Sequence, residues 1–166
     1  LNHYSINYYL MAQDYKEIFL ELLETMELDI SNLYKLFAEK FPAHRYFWEE
    51  LSKEEVRHAA YAKKLSAYII QKIVFLDEKK TRTLTIKFIT DGIKATYEKT
   101  KANELTIINA LAYSLNLEDS IIENKFYEYF STHDQNIAFL LSQIKRETIE
   151  HARKVKQALR DEKFVL

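Results

Sequence analysis

The stretch Phe47-Trp-Glu-Glu-Leu51-Ser-Lys-Glu-Glu55-Val-Arg-His58-Ala-Ala-Tyr-Ala62 decides how this chain is read. Phe47, Leu51, Ala62, Leu65 and Ile69 recur in steps that mark an amphipathic helix facing a core. Glu55 and His58 fall on the same line. A lone carboxylate among apolar side chains is costly unless it is neutralised or paired. The inward face of this helix therefore carries chemistry as well as packing.

The same pattern recurs on either side. Over 15–40 the line runs Leu20, Leu23, Glu27, Ile30, Tyr34, Phe37, Phe41. Asp14 and Glu17 have capping-box spacing at its start, and Pro42 marks its end. The stretch 44–74 is the second helix. A polar segment over 77–83 reads as a loop, and 84–101 as a shorter helix crossing back, slightly weakened by Gly92. It presents Leu84, Ile86, Phe88, Ile89, Ile93 and Tyr97. Over 104–131 the line is Ile108, Leu111, Leu115, Glu118, Ile122, Phe126, with Asn103 as cap. Over 135–161 it is Ile137, Leu141, Ile144, Thr148, His151, Val155, with Asp134 as cap. The start, with Tyr4, Tyr8, Tyr9 and Leu10, reads as a short helix or an arm packing on a partner.

Four long helices with one long connection between the second and third form a bundle. Composition agrees: 166 residues with one Gly and one Pro are too poor in turn formers for a β-rich domain. A net charge of −1 gives no basic field to attract nucleic acid. The absence of Cys excludes a disulfide scaffold, a thiolate zinc site and a cysteine-ligated iron centre. No apolar run approaches the roughly 18 residues that span a bilayer, and no signal peptide is visible, so a cytoplasmic protein is expected.

A bundle holds two divalent ions with one Glu from each of two helices and a Glu-x-x-His from each of the others. Glu55-Val-Arg-His58 has that spacing, which puts both side chains on one face. His151 has Thr148 three positions earlier and Glu147 four earlier, a spacing also attested for helical metal ligands. Glu27 and Glu118 occupy matching places on the remaining helices. Each half of the chain is thus a helix with one Glu followed by a helix with Glu and His. Glu27, Glu55, Glu118 and Glu147 carry four negative charges, matching two divalent cations. Glu54 and Glu150 should point outward as solvated charges. His3, His44 and His133 belong to the surface, and Glu123 and Lys125 are outer-sphere groups or an ordinary ion pair. The bland alternative is a set of boundary residues snorkelling to water. A single Glu-x-x-His carries little weight; the matching placement on four helices carries the metal reading.

These residues resemble the rubrerythrin-like branch of the ferritin-like superfamily. The resemblance covers most of the chain. It rests on Met26-Glu-Leu-Asp-Ile-Ser-Asn-Leu-Tyr34, on Glu49 to Ala59, on Ala110 to Tyr127 and on Glu147-Thr-Ile-Glu-His151. It implies an all-α ferritin-like four-helix bundle, with residues 1–166 as one di-metal domain and an extra short helix in the long crossover. It also implies two iron ions, with manganese or zinc as alternatives, and a homodimer. Reaction with hydrogen peroxide or oxygen is implied too, as a peroxide reductase or ferroxidase. Glu55 and Glu118 are then the bridging ligands, Glu27 and Glu147 the terminal ones, and His58 and His151 each hold one iron. Tyr34 supplies a hydrogen bond or proton near the site, or is simply a core tyrosine. Ile121 and Thr148 stand where the family has carboxylates. With no Cys for a rubredoxin-like relay, electrons must come from an external donor. The rival is a helical bundle without redox chemistry, metal-free or with a single zinc or manganese ion. Its 14% aromatic residues would then build an interaction or assembly surface.

Overall fold

Pro42 stops the first helix: α1 (His3–Lys40) ends two residues before it, and a 3₁₀ turn over Pro42–His44 leads into α2 (Arg45–Ile70). The computed structural model describes residues 3–77, 79–124 and 126–164, with side chains from 15 onward except at 78, 123–125 and 164. Three more helices follow: α3 (Thr83–Lys101), α4 (Ile107–Asn124) and α5 (Gln135–Phe164). Two short strands, β1 (Val74–Leu76) and β2 (Phe130–Thr132), pair antiparallel, with Val74 opposite Thr132 and Leu76 opposite Phe130.

α1 packs along α2 on one side and α3 on another, while α4 packs along α5. Met26, Ile30 and Phe37 of α1, Trp48 and Leu51 of α2, Ile93 of α3, Leu111 of α4 and Val155 of α5 are buried in one continuous core. Each such side chain contributes about 1.5–3 kcal/mol on leaving water. Trp48 is the knot at one end. Its ring centroid lies 4.9 Å from Phe37, 4.9 Å from Phe47 and 5.4 Å from Tyr34.

Several boundaries differ from the sequence reading. α1 starts at His3, so Asp14 and Glu17 lie within the helix and do not cap it. The stretch holding Tyr4, Tyr8, Tyr9 and Leu10 belongs to α1, while those side chains, with those of His3, Asp14, Glu123 and Lys125, lie outside the described residues. The third long helix ends at Asn124 and does not run to 131. Phe126–Tyr129 is a 3₁₀ turn and Phe130–Thr132 a strand. The run Phe-Tyr-Glu-Tyr-Phe-Ser-Thr favours a pleated conformation, and β1 offers it an edge. Asn103 does not start α4. It ends α3 in the left-handed region at φ 59°, where Glu104 N–H donates to Lys99 O and Asn103 N–H to Thr100 O. Thr106 is the cap: its hydroxyl accepts from Asn109 N–H, and the Asn109 side chain accepts from Thr106 N–H in return. Asp134 caps α5 as expected, accepting from the backbone of Asn136 and Ile137. α3 is no shorter than α4, and its Leu84 and Phe88 face solvent at 80% exposure each. No helix among the described residues is long and apolar enough to cross a membrane.

α2 ends on the same motif as α3, but with Lys72 at the left-handed position (φ 60°) and Ile73 N–H donating to Tyr68 O. A residue with a Cβ is strained there, whereas glycine is not. Lys72→Gly is expected to stabilise the fold by about 0.5–1 kcal/mol in urea unfolding.

Candidate metal centre

Glu55 is the hub of the buried site. Its Oε2 lies 3.0 Å from Nδ1 of His58, one turn on along α2, and its Oε1 lies 2.9 Å from Nδ1 of His151 across on α5. His151 Nδ1 is also 3.9 Å from Glu118 Oε2 on α4. The other Glu118 oxygen accepts a hydrogen bond from the Tyr34 hydroxyl of α1 at 2.7 Å. Glu27, also on α1, lies close enough for the Glu55 and Glu118 charges to act on its carboxyl. The two imidazole rings are stacked, with centroids 5.3 Å apart. Glu55, His58 and His151 are all buried and offer ligand atoms within 4.8 Å of one another, a cluster that can hold a metal ion.

The outer ring nitrogens are held in a crossed pattern. Nε2 of His58 on α2 meets Glu147 Oε2 of α5 at 3.0 Å, and Nε2 of His151 on α5 meets Glu54 Oε2 of α2 at 2.5 Å. Each carboxylate stands four positions before the histidine of its own helix and bonds the histidine of the other. Gln143 steadies Glu147, and Lys154 steadies Glu54. Carboxylates at this position fix the tautomer and aim the inner nitrogen at a metal.

Six of the residues singled out in the sequence thus meet here: Glu27, Tyr34, Glu55, His58, Glu118 and His151. Glu147 is also present, but its carboxylate faces the outer nitrogen of His58, not the cluster. Glu54, read as a solvated charge, is drawn in by His151. The signal for it was in the sequence: Glu-x-x-x-His occurs in both helices, at Glu54–His58 and Glu147–His151. Glu150 pairs with Arg153 on the surface, as expected.

Charge at the hub is settled by competition. Burial opposes ionisation of Glu55, yet His151 and His58 overcome it and hold this carboxyl far below the usual range. Burial disfavours the imidazolium of both histidines, but the Glu55 carboxylate outweighs it, raising His58 to about 10 and His151 to about 9. Burial, with the Glu55 charge, lifts Glu118 to about 7 and Glu27 well above the usual carboxylate range. Protons therefore occupy the nitrogens a metal would use, and a metal must displace them. Glu55 Oε1 and His151 Nδ1 are buried and facing, yet neither makes a hydrogen bond. They pair by charge at 2.9 Å, and a bound cation would take the place of the proton between them. Imidazole with carboxylate suits iron, zinc and manganese, so the donors present fit the group implied.

Comparison with protein-family models, with curated proteins and with solved structures finds no match for this chain. The functional reading therefore rests on the site itself.

Metal-free protein has a pH signature with a fixed sign. The raised imidazoles stabilise the fold fully below about 6.5, and that contribution fades as pH climbs through about 9 and 10. Glu118, raised in the fold, acts in the same direction between its ordinary value of 4.5 and about 7. Glu55, lowered in the fold, stabilises above 4.5 and loses this in stronger acid. Thermal unfolding followed by circular dichroism in chelator should show Tm falling steadily from pH 6 to pH 10. A Tm that climbs across this range contradicts the assignment.

Proposed function

We propose that this chain is a non-haem di-iron protein built on a ferritin-like four-helix bundle, acting as a peroxide reductase or ferroxidase. One observation carries the reading: the Glu55 carboxylate and the imidazoles of two helices meet within 4.8 Å in the buried core, with Glu118 of a third helix 3.9 Å from His151 and the inner nitrogens of both imidazoles aimed at Glu55. An iron pair, when bound, supplies the electron transfer that reduces peroxide or oxygen.

The chain's own residues then have separable tasks. His58 and His151 would hold metal through Nδ1, with Glu55 between them and Glu118 and Glu27 completing the oxygen donors. Glu147 and Glu54 accept the Nε2 protons and keep the rings in the metal-binding tautomer. Tyr34 holds one oxygen of Glu118 and leaves the other facing His151. Burial and the neighbouring carboxylates of Glu118 and Glu55 raise Tyr34 well above a free phenol, so it keeps its proton. Burial and the Glu55 charge favour the protonated form of Glu27, so its carboxyl must give up that proton to serve as a ligand. Electrons come from an external donor, since the chain has no Cys.

A second reading is a single zinc or manganese ion, favoured because only Glu55, His58 and His151 meet within 4.8 Å among the described residues. Metal counting separates the two. Protein loaded anaerobically with Fe(II) and desalted should carry about two irons per chain and consume peroxide, and His58→Ala should abolish both. One ion per chain with no peroxide consumption supports the second reading. Glu54→Gln and Glu147→Gln should each weaken metal affinity by about 10–100-fold while leaving the metal-free fold intact. Competition against a chromophoric chelator measures this, and unchanged affinity in both variants removes their orienting role.

A further inference from the structure

The stretch Lys79-Lys-Thr-Arg82-Thr-Leu84-Thr-Ile-Lys87-Phe88-Ile-Thr90 carries four cations and no Asp or Glu, in a chain whose net charge is −1. Positive charge is gathered at the start of α3, and the remainder of the chain is net negative. Lys79, Lys80, Arg82 and Lys87 are all exposed. Asp77 engages Lys80 at 3.3 Å, whereas Lys79, Arg82 and Lys87 pair with no carboxylate among the described residues. Among these cations stand Leu84 and Phe88, each 80% exposed and four positions apart, so they are neighbours on one helix face. Single apolar side chains on a surface are ordinary; two bulky ones together, bordered by cations, form a ridge with a use.

The fold holds this ridge out. α3 turns Ile86, Ile89 and Ile93 inward and packs on α1, which directs Leu84 and Phe88 away from the core. Tyr15 of α1 donates to Thr81 O at 3.2 Å and accepts from the Thr81 hydroxyl at 3.0 Å, fixing the loop that presents Lys79 and Arg82.

Charge selects the occupant. A second copy seated two-fold symmetrically on this face would bring its own four cations against these, and like charges across an interface repel. An anionic bilayer answers both demands at once. Its headgroups meet the cations, and its acyl boundary, about 5–10 Å deep, takes the apolar side chains.

We propose that the start of α3 is a docking face for an anionic lipid bilayer, with Leu84 and Phe88 inserted at the interface and Lys79, Lys80, Arg82 and Lys87 set on the headgroups. The contact is peripheral: no helix among the described residues is long and apolar enough to cross the membrane. It does not depend on the metal reading.

Vesicle sedimentation of the full chain tests this. Partitioning onto phosphatidylcholine vesicles with roughly 30% phosphatidylserine should exceed that onto phosphatidylcholine alone by more than about a hundredfold. Raising salt from about 0.1 M to about 1 M should remove most of the difference. Lys79→Gln with Lys87→Gln should lower partitioning about 30-fold, and Leu84→Ser and Phe88→Ser should each lower it at least about tenfold. All four side chains are exposed, so circular dichroism and thermal unfolding should match the unmodified protein. No binding to the anionic vesicles overturns the proposal. Equal binding to both vesicle types overturns recognition by charge, and binding indifferent to Leu84→Ser and Phe88→Ser overturns insertion. A dimer in sedimentation equilibrium that Phe88→Ser dissolves, without vesicle binding, assigns the face to a second copy and overturns the bilayer.

Discussion

A single carboxylate, Glu55, lies between two imidazoles from different helices, and the rest of the interior is arranged around that contact. Each of its oxygens faces one Nδ1 at about hydrogen-bond distance. In water this contact would be weak; in a dry core, positive charge beside Glu55 decides whether the carboxylate is tolerable at all. Any metal ion held here would have to compete with protons for the same nitrogens, so binding it and deprotonating the centre would be one equilibrium seen from two sides.

The surrounding fold makes the contact rigid. Trp48 and Phe37 pack against the Tyr34 ring, and Tyr34 in turn fixes Glu118, so an aromatic knot in the hydrophobic core sets the direction of a carboxylate oxygen. Phe130 of β2 and Phe126 line a pocket that Glu27 and His58 also reach. The short β1–β2 ladder ties the stretch after α2 to the one before α5, and those are the two helices that carry the histidines.

Much of this was legible in the chain because helical period and burial are strongly coupled. Leu51, Glu55, His58, Ala62 and Leu65 fall on one line in the sequence and are all buried in the fold. Asp134 and Pro42 act through local chemistry and were read correctly for the same reason. What escaped depends on partners distant in sequence. The strand at 130–132 exists because residues 74–76 lie beside it. Leu84 and Phe88 belonged to an apolar pattern that α1 does not cover. Asn103 offered two local uses, and chain reversal after α3 selected the left-handed one. Glu54 neighbours Glu55 and so points away from the hub on its own helix; only the approach of α5 gives it His151. Glu147 was placed in the right neighbourhood, but which nitrogen of His58 it meets is a matter of helix separation, which spacing cannot supply.

The crossed bonds, Glu54 to His151 and Glu147 to His58, have a mechanical meaning beyond ring orientation. They pin α2 against α5 at two points from opposite sides. Sliding one helix past the other by a single turn, roughly 5.4 Å, unseats both pins together and drags the two inner nitrogens off Glu55. The centre is therefore a vernier for helix alignment: only one phase of α2 against α5 closes it, and a misthreaded bundle announces itself by losing its grip on charge.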